Sequence, residues 1–133
     1  MDTIKTLVIE PLRRPELRDI DPSITAIGKT IGGYAEPLPL DRRTTLWCDE
    51  EGAIKNLKPN RTIRLSQDSR LADAGKPIII RGTFVITGLH PQDGPLGLDD
   101  EQIGRYAAMF ADPEAPCRLP GGKTFMIPVH PIG

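Results

Sequence analysis

The chain has 133 residues, and its 17 basic and 18 acidic side chains nearly cancel to a formal net charge of −1. A protein that coats nucleic acid needs a strongly basic face, so this balance disfavours nucleic acid as the partner. A chain of this length is most simply one domain that buries its own core without a disulfide or a metal. The two cysteines lack CxxC spacing, the N-terminus does not resemble a signal peptide, and no apolar stretch approaches the roughly 20 residues of a membrane span, so we expect a cytoplasmic protein.

The first predicted element is a strand over residues 4–10. Its almost continuous apolar run is typical of a strand that is buried on both faces, so we place it centrally in a sheet. The charged segment 11–19, which prolines interrupt, is predicted to be a solvated connector.

A short helix is predicted over residues 22–31. Asp21 supplies an N-cap acceptor, Pro22 suits the first helical position, and the two glycines at 32–33 end the helix. Gly28 costs about 1 kcal/mol relative to alanine inside a helix, so either close packing or simple tolerance explains it.

A β-hairpin is predicted next, with strands over 34–40 and 44–49 joined by a short polar loop. Pro37 and Pro39 are two residues apart, so they remove two backbone donors from the same edge of the first strand. That edge cannot carry a regular ladder, and we therefore expect this strand to be outermost in the sheet.

The middle of the chain combines an irregular segment with the strongest strand pattern. Residues 53–71 are expected to be an ordered loop with at most short structure. Residues 77–87 predict a strand beside the N-terminal strand, and Gly82 is expected to mark a bulge or a close backbone contact. Residues 88–97 are predicted to form a turn-rich loop.

A second helix is predicted over residues 100–111. Asp99 and Gln102 have the spacing of a capping box, and the apolar stripe that follows predicts a buried face.

Together these elements predict an α+β fold, in which both helices cover one face of a small, mainly antiparallel sheet. We assign residues 1–112 to the domain and residues 113–133 to a proline-rich extension, where a strand over 123–129 could add one edge strand.

Five short strings resemble one protein family: GGYAE at 32–36, CDEEG at 48–52, LKPN at 57–60, GTFVI at 82–86 and DDEQI at 99–103. The family is the bacterial and phage domain of unknown function 3846, and the resemblance covers about residues 4–111. Its members usually carry Asn where this chain has Cys48 and Asp49. The resemblance implies a small protein that is often found in phages and mobile elements, and it implies no chemistry.

Several motifs are discounted. The Gly-Lys-Thr strings at 28–30 and 122–124 have Ser23 and Cys117 where a phosphate-binding loop needs its first glycine. The acidic run at 49–51 is interpreted as a solvated turn. The two histidines are forty residues apart and Cys48 lies in a predicted strand, so we predict neither a metal site nor a cysteine nucleophile, and no cofactor.

Two groups of residues are candidates for binding. Trp47 could be second-face core or an exposed anchor, and with Arg42 and Arg43 at the hairpin it defines a candidate protein-binding surface. The favoured hypothesis is a non-catalytic phage or mobile-element protein that uses this surface to bind a host protein.

The alternative is a pocket for a nucleotide-like small molecule, lined by Tyr34, Glu36, Asn60, Arg61 and His90. Glu36 shares a strand face with apolar residues, so its carboxylate needs a partner, and Asn60 or Arg61 is a natural candidate for a purely structural bond. An enzyme that uses Glu36 and His90 is a third, disfavoured hypothesis. The oligomeric state is left open.

Overall fold

The computed structural model describes residues 2–66 and 75–132. In chain order its elements are β1 (Ile4–Ile9), β2 (Glu16–Ile20), α1 (Ile24–Ile31), β3 (Ala35–Asp41), β4 (Thr44–Asp49), β5 (Pro59–Arg64), β6 (Pro77–Arg81), β7 (Phe84–His90), β8 (Gly94–Leu96), α2 (Asp100–Met109), β9 (Glu114–Arg118) and β10 (Thr124–Pro128). Neither α1 nor α2, the helices in this part of the chain, is long and apolar enough to cross a bilayer.

The main sheet has the strand order β2-β1-β7-β4-β3, and β8 pairs with the C-terminal half of β7. Every pairing in it is antiparallel. β5 pairs with β6 and β9 pairs with β10 in two smaller two-stranded sheets. The predicted α+β class is therefore confirmed, and β1 lies inside the sheet beside β7, as expected.

The two helices cover opposite faces of this sheet. Alternate residues of the central strands point to two separate cores. On one face Leu7, Leu46 and Ile86 meet Tyr106 of α2 and its C-cap Phe110. On the other face Val8, Trp47 and Val85 meet Ile27 and Ile31 of α1. The expectation that both helices cover one face is wrong. A helical stripe shows that a helix has a buried side, but it does not show which face of the sheet that side covers.

The outer position of β3 is confirmed. The N–H group of Glu50 donates to the Tyr34 carbonyl, so every second residue from Tyr34 onward bonds to β4, and the nitrogens of Pro37 and Pro39 face outward. The Ser66 N–H donates to the outward carbonyl of Pro39. The edge therefore has no donors at its prolines, and its acceptor at Pro39 is already bonded.

The single strand predicted over 77–87 is two strands. β6 ends before Gly82, whose φ of +78° turns the chain, and β7 begins two residues later. A Cβ atom at Gly82 would lie 2.8 Å from the Leu57 side chain. Both the positive φ and this close contact therefore favour glycine at this position.

Three strands lie in segments that the sequence assigned to connectors or loops. β2 falls within the predicted connector 11–19 and beyond it, β5 within the irregular segment 53–71, and β8 within the loop 88–97. Residues 67–71 of the irregular segment lie outside the described residues.

Side-chain capping hydrogen bonds determine where the two helices begin. Ser23, not Asp21, is the N-cap of α1, because its hydroxyl accepts from the Ala26 N–H at 3.0 Å, and Asp21 instead accepts from the Ser23 N–H. The predicted capping box of α2 is confirmed, since the side chains of Asp99 and Gln102 each accept from the other's backbone N–H.

The C-terminal residues form a hairpin against β5. The predicted strand is present as β10, but it pairs with β9 rather than with the main sheet. The Glu114 carboxylate accepts from both the N–H and the hydroxyl of Thr62, at 3.2 and 2.9 Å, and the Ile132 N–H donates to the Leu12 carbonyl. These bonds attach the hairpin to the body of the protein.

Candidate binding groove beside helix α1

The turn from α1 into β3 is built from glycines. Gly32 takes a left-handed φ of +90°, and the N–H groups of Gly32 and Gly33 both donate to the Gly28 carbonyl, at 2.8 and 3.1 Å. A Cβ atom at Gly28 would lie 2.8 Å from the Gly33 carbonyl oxygen. Close packing therefore explains Gly28, and the chain leaves the helix so tightly that Tyr34 follows directly beside it.

Gly33 packs on an ion pair whose carboxylate is buried. A Cβ atom there would overlap the Asp49 carboxylate, whose side chain is only 1% exposed and accepts from Lys55 Nζ and from the Glu51 N–H, both at 2.8 Å. Burial alone would raise the pKa of Asp49, but these two bonds outweigh burial and lower it. The interpretation of the acidic run as a solvated turn is thus wrong for Asp49, which holds the turn together from inside.

An open groove of about 430 Å³ follows this turn. One stripe of α1 lines it, from Ile24 in the first turn through Gly28 and Lys29, and residues 32–35 border it. Tyr34 is 75% exposed and Ile24 is 48% exposed. Within residues 2–66 and 75–132, the Tyr34 hydroxyl makes no hydrogen bond and Lys29 makes no ion pair. The groove thus combines apolar surface with two polar groups that the fold does not use.

Asn60 and Arg61 do not line this groove, because both are fully buried. Asn60 donates to the carbonyls of Ile9 and Gly82, both at 2.9 Å. Arg61 donates to the Asn60 side chain at 2.8 Å, to the Arg13 carbonyl at 2.6 Å and to the Phe110 carbonyl at 2.9 and 3.3 Å. They join β5 to β1, to the turn between β6 and β7 and to the end of α2, so their polar atoms already have partners in the fold.

Glu36 is half-buried on β3, opposite Cys48. It forms no hydrogen bond or ion pair with another residue of the described ranges, so neither Asn60 nor Arg61 is its partner. Burial, together with the nearby carboxylates of Glu36 and Asp49, raises the pKa of Cys48 to about 12. Cys48 is therefore a protonated thiol at neutral pH, and it lacks the character of a nucleophile.

His90 lies at the opposite end of the sheet from Tyr34. Tyr34 is beside the end of β4, whereas β7 pairs antiparallel with β4 and carries His90 past the start of that strand. Its Nδ1 atom accepts from the N–H groups of Gln92 and Asp93, at 3.2 and 3.3 Å. Of the five predicted ligand residues, only Tyr34 therefore borders the groove.

Trp47 does not take part in the predicted protein-binding surface at the hairpin. Trp47 is 5% exposed, lies in the core beneath α1 and donates its indole N–H to the Thr87 hydroxyl at 2.9 Å. Arg43 is exposed but pairs with Asp99 at 3.1 Å and Glu101 at 3.5 Å on α2, and Arg42 is exposed in the same loop. Trp47 is thus a core residue on the face of the sheet that α1 covers, which is the first of its two predicted roles.

A basin of mixed charge of about 520 Å³ lies between the hairpin loop and α2. Arg105 lies 3.0 Å from Glu101 and 3.9 Å from Asp41, and the Tyr106 hydroxyl donates to Asp41 at 2.5 Å. Burial and this bond raise the pKa of Tyr106 to about 12. Arg43 adds its own pairs, so the basin is a network that ties the hairpin to α2.

These features define the chain as a small α+β domain in which the most exposed aromatic group borders a groove beside a helix. The family model described as Domain of unknown function (DUF3846) matches residues 4–111. The match covers most of the chain, so the chain belongs to this family, as its strings suggested. No curated protein and no solved structure matches the chain.

The strings that carry the family resemblance have roles in the fold. Gly33 packs against the Asp49 carboxylate, Asn60 links β5 to β1 and to the turn at Gly82, Gly82 turns the chain, and Asp99 caps α2. Tyr34 is different, because its side chain is exposed and makes no hydrogen bond within the described ranges.

Sequence reasoning included Tyr34 among its candidates but missed Ile24 and Lys29. Ile24, Ile27 and Ile31 lie at helical spacing, a pattern that predicts a buried stripe, yet Ile24 is exposed in the first turn of α1. Lys29 received attention only as part of a discounted phosphate motif. No pattern in the sequence indicated that the two would line the same groove as Tyr34.

Proposed function

We propose that this protein is a non-catalytic accessory protein of a phage or mobile element, which acts in the cytoplasm and binds a host protein through the groove between α1 and Tyr34. One observation carries the proposal: Tyr34 is 75% exposed beside the exposed Ile24, and its hydroxyl has no bond to any other described residue. The phage origin and the host partner rest on the family resemblance.

The chemistry of the groove supports protein binding. Tyrosine combines a large apolar ring with a polar tip, which is why it is enriched among the residues that dominate binding energy at interfaces. Gly32, where a Cβ atom would meet no other atom within 4 Å, leaves the backbone open at the end of α1, so a partner can approach it closely. An exposed apolar surface with polar groups at its border is typical of an interaction site.

The groups that would suggest catalysis are held by the fold. Cys48 keeps its proton, Asp49 is paired with Lys55, and His90 lies at the other end of the sheet from Tyr34. The small-molecule alternative needed Asn60 and Arg61 in one pocket with Tyr34, but their side chains bond inside the protein. Protein binding is therefore the function that the geometry supports best.

A capture experiment with matched variants tests the proposal. Tagged wild-type protein, Tyr34→Ser and Phe125→Ser are each used to capture proteins from a bacterial host lysate, and the captured proteins are quantified by mass spectrometry. Phe125 is a suitable control because it is an exposed aromatic residue on β10, outside the groove. Thermal unfolding of all three proteins establishes that each is folded.

The proposal predicts a host protein that wild type and Phe125→Ser retain and Tyr34→Ser loses. The purified partner should then bind Tyr34→Ser at least about tenfold more weakly than wild type, since truncating a central aromatic anchor typically costs 2 kcal/mol or more. Equal capture by all three proteins would show that the groove is not the binding surface.

A further inference from the structure

We infer that the groove recognises an extended or helical segment of a partner protein that combines two apolar side chains with an acidic one. The apolar pair contacts Ile24 and Tyr34, and the carboxylate pairs with Lys29. This inference rests on the proposed function and adds the chemistry of the partner to it.

The spacing of the apolar contacts follows from the helix. Ile24 and Gly32 are eight residues apart along the stripe of α1 that lines the groove, and Tyr34 follows directly after that stripe. Eight residues correspond to about 12 Å at a rise of 1.5 Å per residue. About four residues of an extended peptide, or about two turns of a helical one, cover that distance. The partner segment is therefore short, with one apolar side chain near each end.

Among the residues that line the groove, Lys29 is the one charged side chain. Lys29 lies in the last turn of α1, and no residue of the described ranges forms an ion pair with it. Lys55, the other lysine beside the turn, is paired with Asp49 at 2.8 Å. An acidic side chain on the partner is complementary to Lys29, and it would lie nearer the apolar residue that contacts Tyr34.

A single carboxylate fits this charge better than a chain of phosphates. The C-terminal end of a helix carries a partial negative charge, which reduces the positive potential around Lys29. Affinity for nucleic acid comes from several cations that neutralise successive phosphates, whereas the groove has one lysine among its lining residues.

A peptide-display selection tests the inference while the natural partner is still unidentified. A library of random twelve-residue peptides is selected against the wild-type protein after depletion on Tyr34→Ser, and separately against Lys29→Glu. Wild type should enrich peptides that carry Asp or Glu beside an aromatic or aliphatic residue. Lys29→Glu should enrich Lys or Arg at the same place, because the variant reverses the charge of the groove.

Binding constants of one enriched peptide then provide the decisive numbers. Measured by fluorescence polarisation, Lys29→Glu should bind it at least about tenfold more weakly than wild type, and exchanging the acidic residue of the peptide for lysine should restore binding to the variant. Lys123→Glu is the control for net charge, because Lys123 is exposed at the tip of the β9–β10 hairpin, and it should leave the binding constant unchanged. Lys29→Met serves as a second variant that keeps helix propensity and should weaken binding in the same direction.

The outcomes separate the inference from the proposed function. Peptides that depend on Tyr34 but show no acidic preference and bind Lys29→Glu as well as wild type would overturn the inference and leave the proposed function standing. A selection that yields no Tyr34-dependent peptide would overturn both. Competition by a single-stranded oligonucleotide, with affinity that falls steeply as salt is added, would replace the inference with a nucleic-acid site.

Discussion

Replacing Gly28 with alanine should destabilise the protein, although the same change in an ordinary helix interior is stabilising. Alanine is favoured over glycine by about 1 kcal/mol inside a helix. At Gly28 the added Cβ atom would lie 2.8 Å from the Gly33 carbonyl oxygen, where ordinary contact begins at 3.4 Å. That oxygen belongs to the turn that leads into Tyr34, so the backbone of the turn has to move by about 0.6 Å to restore ordinary contact.

The magnitude follows from these two terms. Overpacking of this kind typically costs 1–3 kcal/mol, which exceeds the gain in helix propensity, so we expect Gly28→Ala to lower the free energy of unfolding by about 1 kcal/mol. Gly104 in α2 is the matched control, because a Cβ atom there meets no other atom within 4 Å. Gly104→Ala should therefore raise the free energy of unfolding by about 1 kcal/mol.

Urea denaturation of the two variants and wild type measures this difference. Trp47 is the single tryptophan and lies in the core beneath α1, so its fluorescence reports on the affected region. A separation of about 2 kcal/mol between the variants corresponds to about 6–10 °C in melting temperature for a domain of this size. Equal stabilisation by both alanines would refute the conclusion that close packing explains Gly28.

Three further outcomes are expected. In the native protein a thiol reagent at pH 8 should modify Cys117 and leave Cys48 unmodified, because the pKa of Cys48 is raised to about 12, and equal labelling rates would contradict its burial. Tyr106→Phe should lower the free energy of unfolding by about 1.5–3 kcal/mol, since it removes a hydrogen bond to a charged group, whereas Tyr34→Phe should leave the urea midpoint unchanged. Asp49→Asn should be less stable than wild type at pH 7. The folded pKa of Asp49 is lowered, so its stabilisation is complete above about pH 4, the value in the unfolded chain, and the two urea midpoints should converge as the pH falls below that value.

The elements with local signals could be predicted from the sequence. Pro37 and Pro39 identified an outer strand because a proline nitrogen has no hydrogen to donate, wherever it lies in the fold. Asp99 and Gln102 identified the start of α2 because both partners of a capping box lie within one turn. The β3–β4 hairpin likewise needs contacts only between neighbouring segments.

The parts that failed depend on contacts between distant segments. β2 has one buried residue, Ile20, so it lacks the alternation that identifies a strand. Arg61 looked like a ligand residue because its partners are the backbone carbonyls of Arg13 and Phe110, and carbonyls have no side-chain identity in a sequence. Trp47 had two open interpretations because the sequence did not show that α1 covers its face of the sheet.

The edge of β3 limits how copies of this chain could assemble through their sheets. Along the path β2-β1-β7-β4-β3, the β3 end has prolines at two outward positions and its Pro39 carbonyl already accepts from Ser66, whereas β2 contains no proline. A unit that can add a strand at both ends of its sheet can polymerise without limit. A unit with one such end can only pair with a second copy, so growth along this path stops at two.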